Sequence, residues 1–425
     1  MQTPEIIRAA ALTLAALAGI CCMYQSVYLV VSIIVRLREG RGGLPAVVPK
    51  QLPRFGVLIA ARNEQAVLPY LLQSIREQDY PRELVRVFVV ADNCTDDTAL
   101  AAERAGATVW RRFDRERIGK GYALAYLLEH MEKSGQTEGI DAFLVFDADN
   151  LLCPDYLRQI SRMYTQGFAA FHGYRNTKNF GDSWISSGYG VWFLHDSIHL
   201  NTARMALGTT CAVSGTGFGF TKELLEQCGG WRFFTLTEDV EFDTWCATHG
   251  VRIGFCREAM LYDEQPVTLR QSWTQRIRWV QGGIQVSLRY AGELARGLLR
   301  GGRTSWASFE TAMLSLWGYL LGMLGTGGTI LAAGITWGAG TAWMTALRLL
   351  LGMIGWMALL GALTVASEWR RICAPAYKKL LAVVTFPFFM LTFVPVAVAA
   401  LFCRRGWAPV AHTVAVPIGM MQAEE

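Results

Sequence analysis

Acidic side chains in this sequence gather where short apolar runs stop. Asp147 and Asp149 follow the run Phe143-Leu144-Val145-Phe146 directly. Strand periodicity would put both carboxylates on one side. So close together they repel unless a cation neutralises them. Hard oxygen ligands of this kind suit Mg²⁺ or Mn²⁺, which also grips diphosphate oxygens. An Asp-x-Asp pair is common in surface loops, so its weight comes from its placement.

Other groups have the types and spacing for chemistry. Asp92 ends a second apolar run, in Ala91-Asp92-Asn93-Cys94-Thr95-Asp96-Asp97. Thr95 or Asp96 would cap the helix that follows, which leaves Asp92 for a ligand. Arg62 and Glu64 stand just past a first run. Gly119-Lys120-Gly121 opens a helix, where a cation and small residues favour an anion; a surface turn would read the same way. Thr237-Glu238-Asp239 opens another helix, with Thr237 as its expected N-cap. Acids in a first turn often serve only the helix dipole. The sharper reading makes Asp239, beside Glu238, a general base for an attacking hydroxyl. In Gln275-Arg276-Ile277-Arg278-Trp279, helical spacing puts Gln275, Arg278 and Trp279 on one face. Arg278 could grip a diphosphate and Trp279 could stack on a ring; an interfacial Trp and Arg belt is the alternative.

The elements that must position these groups read as strands at 55–61, 85–91, 107–111 and 142–147. Helices are expected to about 78 and over 96–105, 121–134 and 238–248. This alternation predicts an α/β fold, a doubly wound and mostly parallel sheet covered by helices. Ligands of such sheets bind at the carboxyl ends of the strands, which is where the acids stand.

Apolar residues make up 52% of the chain, and they concentrate at its ends. Residues from about 9 to 35 carry no charge, enough for one transmembrane helix. A signal peptide would have a much shorter apolar core. Arg36, Arg38, Arg41 and Lys50 follow, so the positive-inside rule puts the next residues in the cytoplasm. Further apolar runs lie near 310–337, 343–366 and 379–402. The basic loops that separate them alternate accordingly. Pro387 and Pro395 interrupt the last run, which predicts either a full span or a broken, re-entrant helix. Arg348 would snorkel to the outer surface or line a path between helices. Residues 286–305 read as an amphipathic helix lying in the interface. The expected organisation is an anchor and linker at 1–49, a catalytic domain at 50–285, the interface helix at 286–305, membrane helices at 306–403 and a tail at 404–425. The expected setting is a plasma or inner membrane crossed several times, with the lipid bilayer as partner.

The net charge of +5 needs no nucleic-acid partner, because no dense basic stripe appears. The ten cysteines show no CxxC or zinc-like spacing. Most lie in the middle domain, as free thiols of a reducing compartment would.

Taken together and in order, Asp92, Asp147-Ala148-Asp149, Thr237-Glu238-Asp239 and Gln275-Arg276-Ile277-Arg278-Trp279 resemble the motifs of processive, membrane-bound family-2 glycosyltransferases, which include cellulose, hyaluronan and poly-N-acetylglucosamine synthases. The resemblance covers roughly residues 50–285. It implies a GT-A fold and an inverting transfer from a UDP-sugar to a growing polysaccharide, with possible export or modifying partners. It implies that Asp92 contacts uracil, that Asp147 faces donor phosphate or sugar, and that Asp149 is the principal ligand of Mg²⁺ or Mn²⁺. Arg62, Glu64 and Lys120 would join the donor site. Asp239 would be the base. Gln275, Arg278 and Trp279 would bind diphosphate and shape the acceptor entrance. Ser214-Gly215-Thr216-Gly217 resembles an acceptor-side stretch, which assigns Gly215 and Thr216 to the acceptor. The single helix before the domain and the absence of a signal-binding domain after the membrane region depart from some members. Single-sugar transfer to a lipid would use related motifs and is the enzyme alternative. A non-catalytic scaffold or transporter would be expected to have lost the acids.

Overall fold

The computed structural model describes residues 2–39, 52–403 and 412–422. Its centre is an eight-stranded mixed sheet. The strands are β1 (Phe55–Ala61), β2 (Val85–Asp92), β3 (Thr108–Arg112), β4 (Ala142–Asp147), β5 (Leu151–Leu152), β6 (Ala170–Thr177), β7 (Phe218–Thr221) and β8 (Ile253–Asp263). Their order is β3-β2-β1-β4-β7-β6-β8-β5. β3, β2, β1 and β4 run parallel. β7 is antiparallel to both β4 and β6, and β8 returns to run parallel with β6.

The first four strands stand within a residue of their expected positions. β1 is an unbroken apolar run because both its faces are covered. On one face, Leu124, Leu127 and Met131 of the helix Lys120–Lys133 join Phe143, Phe220 and Phe242. On the other, Leu68, Leu71 and Leu72 of Leu68–Arg76 meet Leu157 and Ile160 of Tyr156–Thr165.

Among the described residues, four helical stretches are long and apolar enough to cross a membrane: Glu5–Arg38, Leu316–Trp337, Ala339–Ser367 and Ala376–Phe402. Small residues let the first two touch closely: Gly325 meets Ala18 and Gly328 meets Ala11. Two expectations change here, and one of two readings of Arg348 falls away. Residues 286–305 are not one helix: the chain ends Leu269–Arg289, forms Ala291–Leu299 and begins Gly302–Met313. Gly301, at φ +78°, takes the left-handed turn that stops the second of these. The run expected from 310 begins at Leu316, because Glu310 is buried in an ion pair with Arg204. Arg348 is exposed on its helix, so it lines no path enclosed by this chain.

The last apolar run is broken. Its halves, Ala376–Leu391 and Phe393–Phe402, meet at Thr392, between the two prolines. Lys378 packs on Gly181, Phe389 on Gly188, and Gln281 Nε2 donates to the carbonyls of Ala400 and Cys403. Both ends of the run therefore rest on the sheet domain. Fully buried Arg276 secures the break, donating to Thr392 Oγ1 at 2.7 Å and lying 4.6 Å from the Phe393 ring centroid.

Buried ionic clusters fasten the membrane helices to the domain. Glu368 pairs with Arg36 at 3.3 Å and accepts from Tyr174 Oη at 2.8 Å. Glu310 accepts from Tyr28 Oη at 3.0 Å and from Arg204 Nε at 2.6 Å. Removing one partner of such a pair leaves a buried charge uncompensated, at a cost of about 3–5 kcal/mol.

Candidate active site

Of the acids expected at the strand ends, Asp147 and Asp149 both act electrostatically on Glu64, while Asp92 is paired with Arg112. Asp147 closes β4, and Asp149 lies beyond it in a turn. Strand alternation therefore does not govern the pair. Asp147 Oδ1 accepts from Lys120 Nζ at 2.6 Å, whereas Asp149 Oδ2 accepts the Glu264 backbone N–H at 2.7 Å. The turn is tied by Thr216, whose Oγ1 accepts from the Asp147 N–H and donates to Asn150 Oδ1. Thr216 is fully buried and its hydroxyl is committed, so it positions the turn and does not meet an acceptor.

Lys120 is not a free phosphate ligand here. It bridges Asp147, the Gly215 carbonyl at 2.8 Å and Glu238 at 3.8 Å. Burial opposes its charge, but Asp147 and Glu238 outweigh burial and raise its pKa. Glu238 is buried too, which pushes its carboxyl up; Lys120 opposes that and Asp239 adds to it.

Glu64 lies beside the pair. Burial raises its pKa, and the charges of Asp149 and Asp147 add to that. His412, from the segment 412–422, contacts Glu64 Oε1 at 2.9 Å. Burial disfavours the imidazolium, yet Asp149, Glu64 and Glu264 raise its pKa to about 10. The segment is held further by the Thr413 and Val414 N–H groups on Glu264, by Lys178 Nζ on the Val414 carbonyl at 3.2 Å, and by Ile418 against Leu151 and Tyr262. The tail expected at 404–425 thus has an ordered part, and 404–411 and 423–425 lie outside the described residues.

These groups fit a hard divalent cation. Among the described residues no cluster of three or more His, Cys, Asp or Glu could cage a metal. Two carboxylates with room for water and diphosphate oxygens are what Mg²⁺ and Mn²⁺ use. Buried Glu64 Oε2 and Asp263 Oδ1 have no hydrogen-bond partner and face the same acid cluster.

Asp92 is buried and takes Arg112 Nη1 at 2.6 Å and Asn93 Nδ2 at 3.1 Å, and the Arg62 charge also acts on it. It is held in an ion pair, not left open as expected. Asp97, and neither Thr95 nor Asp96, occupies the N-cap of Thr98–Arg104 and makes no side-chain cap, while Asp96 accepts the Thr98 N–H at 3.1 Å from one residue further back.

On the other flank, Asp239 stands in the first turn of Glu238–His249. Thr237 occupies the N-cap position without a side-chain cap, contrary to expectation; its Oγ1 is buried and unpartnered. Thr237 packs closely on Gly282, where a Cβ would stand 2.5 Å from Thr237 Oγ1. Gly282 belongs to Leu269–Arg289, which also carries Gln275, Arg278 and Trp279. Arg278 acts electrostatically on Glu238. Gln275 Oε1 is buried without a partner. Trp279 packs edge-on against Tyr189, Trp192 and Phe193 at 5.7, 5.9 and 6.3 Å.

Sequence reasoning missed Arg175, Asp263, His412 and this aromatic wall. Arg175 sits on β6, which ends in Arg175-Asn176-Thr177-Lys178-Asn179. Had β6 been recognised, the rule that strands end in functional polar groups would have found it.

The sheet, its polar edge and the ordered motifs define a glycosyltransferase. Residues 53–282 match the description "Glycosyltransferase like family 2", and the chain belongs to that family. Over 244 residues it is 29% identical to the β-monoglucosyldiacylglycerol synthase of Synechocystis, covering 56% of this chain and 49% of that one. It is 25% identical over 253 residues to the probable glycosyltransferase YdaM of Bacillus subtilis, covering 57% and 58%. It is 21% identical over 271 residues to the poly-β-1,6-N-acetyl-D-glucosamine synthase of Staphylococcus epidermidis, covering 63% and 60%. The chain spans about half the length of the curated relatives it matches best. In fold it is similar to a mannosyltransferase of Pyrobaculum calidifontis solved with GDP-mannose and Mn²⁺, at TM-score 0.53 and 19% identity, covering 92% of this chain and all of that one. The fold is thus of the GT-A type, and the chain is an enzyme of this family.

Proposed function

We propose that this enzyme transfers a single sugar, with inversion, from a UDP-sugar to a hydroxyl of a membrane lipid of the diacylglycerol type. The observation that carries this reading is the wall on the acceptor flank. Trp279, Trp192 and Tyr189 continue directly into the last apolar run, with Trp192 5.1 Å from Phe393 and Tyr189 4.9 Å from Phe389. A lipid headgroup can reach Asp239 along that wall while its chains stay among apolar helices. The relatives point the same way, since glucolipid synthases match at higher identity than the polymer synthase.

Asp239 takes the proton of the attacking hydroxyl. Arg278 and Lys120 offer positive charge to the diphosphate as it departs. Lys120 must then exchange Asp147 for phosphate oxygens. Asp149 and Asp147 would hold Mg²⁺ or Mn²⁺, which when bound supplies charge for the leaving nucleotide. Arg62, Glu64 and Asp92 shape the donor side. The domain faces the cytoplasm, beneath a membrane that the chain crosses more than once.

The test is turnover by protein in nanodiscs, with Mg²⁺ or Mn²⁺ and diacylglycerol. UDP-glucose, UDP-N-acetylglucosamine, UDP-glucuronic acid and GDP-mannose are supplied singly. Nucleotide release with a monoglycosylated lipid, identified by mass, is expected. A long polymer from one donor would instead establish a processive synthase and refute single addition.

A further inference from the structure

Arg175 lies at the join between the two halves of the site. Its side chain is nearly buried, at 9% exposure for the residue. Nε donates to Asp263 Oδ2 at 2.5 Å, and Nη2 pairs with the same carboxylate. The guanidinium stacks 3.6 Å from the centroid of Phe193, a member of the acceptor wall. Nη1 donates to the Ser214 carbonyl at 2.9 Å, and its second hydrogen has only a longer contact with Ser214 Oγ, at 3.3 Å.

The residue next to Ser214 gives this geometry a use. Gly215 has φ +75°, and a Cβ built there would lie 3.5 Å from Arg175 Nη1 and 3.8 Å from Asp239 Oδ2. Beyond its chain neighbours, no other heavy atom comes within 4 Å of that point. The missing side chain leaves a small space bounded by one cation and one carboxylate. Both face it from rigid elements, β6 and the first turn of Glu238–His249. A buried guanidinium spread across Asp263, Phe193 and Ser214 cannot swing away, so its position is preorganised.

We propose that this space is the subsite for the acceptor hydroxyl. The hydroxyl sits over Gly215, accepts a hydrogen bond from Arg175 Nη1 and points its proton at Asp239 Oδ2. As the hydroxyl oxygen bonds to the anomeric carbon, the bond from that carbon to the diphosphate oxygen breaks. Its electron pair leaves with the nucleotide, and the proton passes to Asp239. Arg175 fixes the direction of the hydroxyl and stabilises the negative charge that grows on it. This assignment rests on the proposed transfer to an acceptor hydroxyl, whichever acceptor carries it.

The experiment compares wild type with Arg175→Gln, Arg175→Lys and the double variant Arg175→Gln/Asp263→Asn. Acceptor KM and kcat are measured in nanodiscs, and UDP affinity with Mn²⁺ is measured by calorimetry. In Arg175→Gln the acceptor kcat/KM should fall about tenfold to hundredfold, the worth of one charge-assisted hydrogen bond, with UDP affinity unchanged. Arg175→Lys should recover part of the loss. The double variant removes the uncompensated Asp263 charge, so it should fold where the single variant does not and show the same acceptor defect. Unchanged acceptor kinetics would overturn the proposal. So would a parallel loss of UDP affinity, which would mark Arg175 as merely structural. If wild type uses an acceptor other than diacylglycerol, the lipid reading fails while this test proceeds on that acceptor. If wild type transfers to no acceptor, both fail.

Discussion

The two flanks of the site are built differently. On the donor flank each acid already has a partner: Asp147 has Lys120, Asp92 has Arg112, Glu64 has His412 and Asp149 has the Glu264 N–H. On the acceptor flank Trp279 packs edge-on against Tyr189, and Asp239 Oδ2 stands 3.8 Å from the point where a Gly215 side chain would begin. The donor flank is neutralised in advance, and binding there must exchange partners. The acceptor flank is preshaped, and binding there fills space. Charge should therefore govern nucleotide affinity, and shape should govern the acceptor.

The largest break in this comparison is Asp239→Asn. It should lower transfer by about 10²–10⁴-fold, the usual worth of a general base, while UDP affinity measured by calorimetry stays intact. Retained transfer would move the base elsewhere. Next is Asp149→Asn. UDP affinity in Mn²⁺ should fall to the level that wild type shows after chelation of the metal, because both remove the same charge from the donor flank. A variant that still gains affinity from Mn²⁺ would place the metal on other ligands.

Gly282→Ala tests the seam between the flanks. The added methyl collides with Thr237, and overpacking of this kind costs about 1–3 kcal/mol. Thermal unfolding should report the loss, with transfer impaired more than UDP binding because the helix with Arg278 and Trp279 moves relative to Asp239. The smallest effect is expected from His412→Ala, measured without metal. The imidazole is raised to about 10 in the folded protein, against about 6.5 when unfolded. Its stabilisation is thus full below pH 6.5 and is lost as pH rises through about 10. The gap between wild type and variant should therefore be largest below pH 6.5 and should close as pH rises through about 10. A gap that stayed constant with pH would mean that His412 acts through packing and not charge.

The halves of the fold were unequally legible. β1, β2 and β4 could be read because each is a mostly apolar run that leads into polar or acidic residues, as buried parallel strands do, and the short edge strand β3 could be read from its place between two helices. β6 could not, because His172, Arg175 and Asn176 are buried polar residues inside it whose hydrogen-bond partners lie far along the chain. Asp92 was legible as a strand-end acid but not as the partner of Arg112, since that pairing depends on the register of β2 with β3. His412 is 348 residues from Glu64, and nothing local marks it. The pair of prolines did announce the break at Thr392, although the guanidinium that secures it is an interior residue of a motif read for its other face.

The docking of residues 412–422 beside Glu64 sets a rule of parity. The segment touches the same sheet that precedes Leu316, so the chain between them must cross the bilayer an even number of times. Leu316–Trp337 and Ala339–Ser367 are long and apolar enough to supply two crossings. The third run, with both ends on the sheet domain, then adds none. A count based on hydropathy alone gives four candidate spans among the described residues and would put the segment 412–422 across the membrane from the sheet it touches.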